Sequence, residues 1–417
     1  MRLSRLFRHI RPWPPEQVTT IAPGEVDPRE AGLRREDVEA IWRAVVHLYQ
    51  GGLHPAVALC LRRRGLVVLD RAIGHARGNA PDDPPDAERV LATPNTLFNL
   101  FSASKAVTAM MIHLLDERGL VHLDDPVAEF IPEFGRHGKG WITLRHLLTH
   151  RAGIPAMPPH EDPLRLLAEP DRLFALLCEC TPIKPFGRHL GYHAVTGGAI
   201  LGEVVRRVTG KDLRALLHES VLAPLGMQHF NYGVRPEEVH LVARNAATGP
   251  TAPPPYSWML RRALGVDLAR AVEISNHPAF LTAVVPSGNI IGTANEASRF
   301  FQLLLNDGCL DGVRIFERRT VRRAIAEQTY LEVDSIMALP VRYGMGFMLG
   351  RRHLSPFGPD TPHAFGHLGF TATVVYADRE RDISVALLTS GKPFITPGQL
   401  RWLAVLETIA RRCKQAR

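Results

Sequence analysis

The chain has 417 residues, 45% hydrophobic and 22% charged, with a formal net charge of +8. That composition is ordinary for a soluble globular protein, and no apolar run approaches the ~20 residues needed to cross a bilayer. The basic excess is almost all arginine, scattered among acids with no dense patch interleaved with aromatics, which leaves nucleic-acid binding unsupported.

Length suggests two or three domains, or one domain interrupted by another. The cysteines, Cys60, Cys178, Cys180, Cys309 and Cys413, offer neither a disulfide framework nor metal-ligand spacing. This usage fits a reducing, cytoplasmic compartment, and no cofactor or metal is expected. Residues 1–12 place Arg2, Arg5, Arg8 and Arg11 among Leu3, Leu6, Phe7 and Ile10, without the apolar core of a signal peptide. They fit a short basic amphipathic helix in peripheral contact with a membrane, or an organellar transit peptide. The favoured reading is a surface helix docked on the body or a frayed terminus.

Residues 12–34 are Pro-rich and aperiodic and read as an extended arm. Val38, Ile41, Trp42, Val45, Val46 and Tyr49 then recur at helical spacing, stopped by Gly51-Gly52. Two β-rich runs, 56–61 and 66–72, flank Arg62-Arg63-Arg64-Gly65 and predict a hairpin. Residues 75–94 read as loop. The helix predicted from Ser102 to Glu117 is apolar nearly all round, which marks it as buried at the centre of a domain. Short helices and turns follow to Arg151, where His150 reads as structural. Residues 162–180 and 192–220 read as helical and 257–272 as short helices. A helix is expected over 288–306, strands over 344–349, 371–376 and 383–388, and a closing amphipathic helix over 400–412. β-rich ends around a helical middle suggest one α/β domain built from both termini. No internal repeat is visible.

Three stretches carry chemistry. In Phe101-Ser102-Ala103-Ser104-Lys105, a helical start puts Ser102 and Lys105 on one face. A serine hydroxyl needs a base, and a lysine one turn away is one when burial lowers its pKa. Only six lysines occur, Lys105, Lys139, Lys184, Lys211, Lys392 and Lys414. A lysine in the first turn of a buried helix needs a partner or a depressed pKa. Tyr192, in a Gly-flanked turn ahead of a helix, can project its phenol into a cleft, as a tyrosinate or hydrogen-bonded to Lys105. His193 beside it reads as structural. In Phe365-Gly366-His367-Leu368-Gly369-Phe370, glycines flanking a histidine at a strand edge allow close approach of a ligand. The N–H groups of Ser102 and Phe370 are candidates for an oxyanion hole.

Ser102-Ala103-Ser104-Lys105, Tyr192-His193-Ala194 and His367-Leu368-Gly369 follow one another in an order that resembles the serine β-lactamase and penicillin-binding-protein superfamily. The resemblance is to its class C-like branch, which includes family VIII carboxylesterases. It extends over roughly residues 36–412, with 96–154, 192–227 and 286–390, including Tyr343-Gly344-Met345-Gly346-Phe347, in support. It implies an α/β (α+β) fold with an antiparallel sheet flanked by helices and an inserted all-helical domain. The expected parts are an arm (1–34), an α/β domain (35–104 with 280–417) and a helical domain with lid-like segments (105–279). It also implies roles. Ser102 is the acylated nucleophile, Lys105 and Tyr192 move its proton, and His367 and Gly369 meet the substrate. Two departures stand out. Ala194 replaces the asparagine that holds the acylamide group in peptidases and lactamases, and no K-T-G occurs, so His367 anchors a carboxylate only when protonated. Both favour small carboxylic esters. A D-stereospecific peptidase or amidase, a weak β-lactamase, an acyltransferase and a non-catalytic scaffold of the same fold are the alternatives. The G-x-S-x-G elbow of other esterases is absent.

Overall fold

The structure is a computed structural model that describes residues 8–156, 162–183, 185–254, 256–330, 332–394 and 400–415. Its centre is an antiparallel sheet built from both ends of the chain. The strands are β1 (Thr19–Ile21), β2 (Ala56–Arg63), β3 (Leu66–Arg77), β4 (Met348–Leu349), β5 (Ala364–Leu368), β6 (Val374–Asp378) and β7 (Ile383–Thr389), in the order β1-β3-β2-β7-β6-β5-β4. Val90–Leu91 adds a further strand on β3. The predicted hairpin is β2–β3, closed by Arg64 and Gly65 at φ 53° and 80°, the pair of positive φ values that a tight, right-twisted hairpin asks for. Pairing of β2 with β7, Leu61 opposite Val385, joins the N- and C-terminal halves.

Side chains alternate across the pleat, and on these strands both faces are apolar. Ala58 and Cys60 of β2, Val375 of β6 and Ala386 of β7 face one core; Val57 and Leu59, Tyr376, and Val385 face the other. One layer over the sheet is formed by α1 (Arg35–Gln50) and the C-terminal helix Arg401–Arg412. Trp42, Val45 and Leu48 of α1 pack there with Val405 and Ile409. Asp37 accepts from the Arg34 N–H and so caps α1, and Gly51 follows its last residue. The opposite face carries α2 (Ser104–Glu117), with α4 (Pro170–Glu179) and α5 (Thr196–Thr209) of the helical middle and the later α7 (Ala294–Leu305) in the same core; the middle also holds α3 (Pro163–Ala168) and α6 (Leu268–Asn276). The fold is therefore α/β, a central antiparallel sheet flanked by helices with an additional helix-rich insertion. α2 is buried from Ser104 through Leu115, as its all-round apolarity requires.

A small sheet ties the insertion to the start of α2. Phe98–Asn99 pairs with Ile290–Gly292, which pairs in turn with Asn231–Tyr232. The Leu100 N–H donates to Ile290 O at 2.9 Å, and the Ile290 N–H donates to Ser104 Oγ at 2.9 Å.

Several expectations are corrected. The arm over 12–34 carries a helical turn, Pro15–Val18, and the edge strand β1, because its backbone pairs with β3. Residues 1–7 of the basic N-terminal segment lie outside the described residues; Arg8 forms an isolated bridge with Gly249, and Ile10 is buried. The expected helix over 288–306 begins as the strand Ile290–Gly292, and α7 starts only after Thr293, whose hydroxyl accepts from the Glu296 N–H. Pro170 divides 162–180 into α3 and α4, and Gly210 ends α5 within 192–220. The strand over 344–349 shrinks to β4; the strand over 371–376 starts at Val374, preceded by the unforeseen β5, which holds His367.

Gly346 shows how tightly the insertion-facing side is packed. Its φ is +95°, and a Cβ there would lie 2.1 Å from Ala109 Cβ on α2. Gly346→Ala is expected to cost about 2–4 kcal/mol in urea unfolding, and Ala109→Gly in the same chain should restore part of it. A double variant no more stable than Gly346→Ala alone refutes the contact as the cause.

Candidate active site

Ser102 lies in a short 3₁₀ turn, Phe101–Ala103, rather than in the helix itself. Phe101 has φ +48°, an uncommon conformation for a bulky residue, and its N–H donates to Asn99 Oδ1 at 3.0 Å. This local turn lifts Ser102 off the end of the Phe98–Asn99 strand and aims it back over α2. Lys105 is three residues on, in the first turn of α2.

The Lys105 ammonium position is fully specified. Nζ reaches Ser102 Oγ at 3.2 Å, Ala194 O at 2.8 Å and Ser287 O at 3.0 Å. All three are neutral acceptors. Burial therefore pushes the amine down from its usual value to about 7. Ser287 is held in turn by α5: its hydroxyl donates to Val195 O at 2.9 Å and accepts from the Gly198 N–H at 3.2 Å.

Tyr192 is the third partner. Lys105 Nζ lies over its ring, 4.9 Å from the centroid, and Ser102 is the neighbour that favours ionisation of its hydroxyl. Burial raises the phenol well above its usual pKa, so it stands as a neutral hydroxyl, not the tyrosinate that the sequence left open. The amine is thus the depressed group of the pair. Behind Tyr192 lie His150 and His193, with His150 4.8 Å from the Tyr192 ring. His150 Nδ1 accepts from the His193 N–H at 3.2 Å, and His193 Nε2 accepts from the Ile154 N–H at 3.1 Å. Both are buried and hold the turn, the structural part expected of them.

The stretch around His367 is brought to the same place. The His367 ring is 6.3 Å from that of Tyr192, with Nδ1 2.6 Å from Leu368 O. Burial, then the Lys105 charge, pushes it down to about 3. It is neutral at ordinary pH, so it supplies no cationic anchor for a carboxylate. Gly369 passes so close to the Ser102 turn that a Cβ would stand 2.5 Å from Leu100 O. That approach sets the Phe370 ring 5.4 Å from the Phe101 ring. Among the described residues, neither the Ser102 N–H nor the Phe370 N–H donates to an acceptor in the chain, leaving both free for an oxygen.

Sequence reasoning missed Asp334. Its Oδ1 accepts from the Tyr192 N–H at 3.1 Å and from the N–H groups of Ile336 and Met337 at 2.8 and 2.9 Å. Ser335 adds its N–H and hydroxyl, each 3.0 Å from Leu190 O. An Asp that accepts from backbone N–H groups two and three residues on is a common turn pattern, but nothing local says that it reaches residue 192.

Three remote segments thus meet at Ser102 in the order in which they occur along the chain. The beta-lactamase family profile matches residues 43–410. The chain belongs to the beta-lactamase family. Within that family it is similar to the esterase/beta-lactamase LipL of Mycobacterium tuberculosis, 27% identical over 411 residues, covering 94% of this chain and 89% of that protein. It is also similar to a putative D-alanyl-D-alanine carboxypeptidase of Escherichia coli, 26% identical, covering 88% and 85% of the two chains. Among solved structures, a family VIII carboxylesterase superposes with a TM-score of 0.76 at 28% identity, over 92% of this chain and 99% of that one. A penicillin-binding protein homolog from Caulobacter crescentus has the same TM-score at 27% identity, over 90% and 98%. This beta-lactamase-family chain therefore has the serine-hydrolase scaffold common to esterases and penicillin-binding proteins.

The Asp334 contacts have a measurable consequence. Asp334→Ala should lose about 1–3 kcal/mol of stability and about ten- to a hundredfold in turnover as Tyr192 shifts. Asp334→Asn keeps an acceptor and should keep most of both. Equal damage in the two variants would show that the charge, not the hydrogen bonds to residue 192, matters.

Proposed function

We propose that this protein hydrolyses carboxylic esters through an acyl-enzyme on Ser102. The observation that carries the proposal is the 3.2 Å contact of Ser102 Oγ with a buried amine that has no acidic partner among the described residues. Ser102 Oγ attacks the ester carbonyl carbon and its proton passes to Lys105 Nζ. The developing oxyanion is met by the free N–H groups of Ser102 and Phe370. As the bond from acyl carbon to alkoxy oxygen breaks, the Tyr192 hydroxyl gives the leaving oxygen a proton and is resupplied from Lys105; the two act as a coupled unit. Water then attacks the acyl carbon, its proton returns along the same path, and the carboxylic acid leaves with Ser102 restored.

Similarity to an esterase/beta-lactamase and to a family VIII carboxylesterase supports this reading. Two site features favour esters over β-lactams and peptides. Ala194 directs only its carbonyl, and that toward Lys105, so no amide is available there to hold an acylamide. His367 is neutral, so a substrate carboxylate finds no charge on it.

The base must be deprotonated to act. Activity should therefore fall as pH drops through the Lys105 value of about 7, and kcat/KM for a p-nitrophenyl ester should rise from pH 5 to 8 with an inflection near there. Lys105→Ala should lower kcat by about 10²–10⁴-fold and remove that limb. Ser102→Ala should abolish turnover and block labelling by a serine-reactive phosphonate, as read by mass spectrometry. Ester hydrolysis that persists in Ser102→Ala would sink the proposal.

A further inference from the structure

Ser102 opens into a large cleft between the sheet domain and the helical insertion, with about 1020 Å³ of empty space, its mouth included. The cavity proper, without the open mouth, is about 170 Å³, of the order that takes up a six-carbon group such as a benzene ring. Its walls are Leu166, Leu167 and Leu173 from α3 and α4, and Val266, Ile274 and Phe280 from the α6 region. Among the described residues, none of the side chains lining it carries a charge. Its serines are engaged elsewhere. Ser275 donates to Val272 O at 2.7 Å and accepts from Asn245 Nδ2 at 3.2 Å, and Ser287 is bonded to α5 as above. The nucleophile is the polar group left facing the cleft.

The lining also says which half of an ester belongs there. Ser102, Phe101, Phe370, Ala194 and Val195 floor the cleft, whereas Lys105, Tyr192 and His367 are not among its walls. The leaving alkoxide needs a proton, so it must lie toward Tyr192 and Lys105. The group on the other side of the carbonyl, the acyl chain, then projects into the cleft. The Ser102 and Phe370 N–H groups lie between the two directions.

We infer that the cleft is an acyl-binding pocket selecting an uncharged, extended or branched apolar acyl group of about six to ten carbons, wider than the short-chain esters that the motifs alone suggest. This rests on the ester-hydrolase reading above. Each methylene buried in such a wall favours the transition state by about fourfold. A carboxylate on the acyl chain has no partner there and is rejected, because an unpaired charge in an apolar pocket is costly.

The test uses the full chain and three substrate series. p-Nitrophenyl esters from acetyl to dodecanoyl vary the acyl group. Acetates of n-alkyl alcohols vary the leaving group. A p-nitrophenyl hemiadipate puts a carboxylate at the end of a six-carbon acyl chain. We expect kcat/KM to climb about a hundredfold or more from acetyl to hexanoyl, to change less than about threefold along the alcohol series, and to drop about a hundredfold from hexanoyl to hemiadipate. Ala271→Trp and, independently, Leu167→Trp, both at the cleft wall, should lower the hexanoyl-to-acetyl ratio at least about tenfold. An optimum at acetyl, with Ser102 still labelled by a phosphonate, overturns the pocket assignment and leaves ester hydrolysis standing. A climb along the alcohol series instead overturns the placement of the acyl group. Neither ester cleavage nor labelling of Ser102 overturns both readings.

Discussion

The structure turns on one buried amine. Lys105 sits in the first turn of a helix with no solvent-facing side, and its three hydrogen bonds go to a hydroxyl and two backbone carbonyls. A lysine paired with a carboxylate would remain an ammonium and could not accept a proton. A lysine buried without any hydrogen-bond partner would be too costly to keep. Neutral acceptors satisfy the donors while leaving the charge unsupported, and the amine is poised where it can lose its proton. Each acceptor comes from a different segment: Ser102 from the 3₁₀ turn, Ala194 from the approach to α5, and Ser287 from the approach to the strand Ile290–Gly292. The amine therefore forms only when the sheet domain and the insertion are both in place.

The surrounding polar groups keep that balance. His150, His193 and His367 are all buried with their pKa values lowered, first by desolvation, so none of them adds a positive charge beside Lys105 at ordinary pH. They act as hydrogen-bonding and packing groups behind Tyr192. Asp334, the carboxylate that reaches this neighbourhood, contacts the backbone of Tyr192 and not its hydroxyl. It fixes the position of the phenol without forming an ion pair with the amine.

How much of this could be read from the residues alone depended on whether the cause was local. The burial of α2 was legible because its apolarity runs all round the helix, and the β2–β3 hairpin because two β-rich runs flank a short polar stretch ending in Gly65. Ser102, Lys105, Tyr192 and the 365–370 stretch stood out through residue type and flanking glycines, and the structure brings all of them together. What was not legible depended on pairing at a distance. β5 has only five residues, two of them the Gly366 and His367 that read as a strand edge, and it becomes a strand because β4 and β6 flank it. Ile290–Gly292 looked helical because it runs into the helical pattern of α7; its two strand partners override that. Asp334 and Ser287 act through backbone contacts that no spacing rule predicts.

A second buried lysine separates burial from function. Among the described residues Lys392, like Lys105, has no acidic partner, and desolvation takes it to the same value of about 7. Its donors reach Thr389 O at 2.6 Å and Thr373 Oγ1 at 3.2 Å, and it lies 4.6 Å from the centroid of the Phe101 ring. It ties the end of β7 to the loop that carries Phe370 and is not among the residues lining the cleft. A depressed lysine is thus not by itself a sign of chemistry. What marks Lys105 is the combination of a neutral cage, a hydroxyl within hydrogen-bonding distance and an open cleft on the other side of that hydroxyl. The same combination sets the limits of the site: with no charged side chain among the described residues that line it, the cleft meets a substrate with hydrocarbon, and selectivity is left to shape and apolar area.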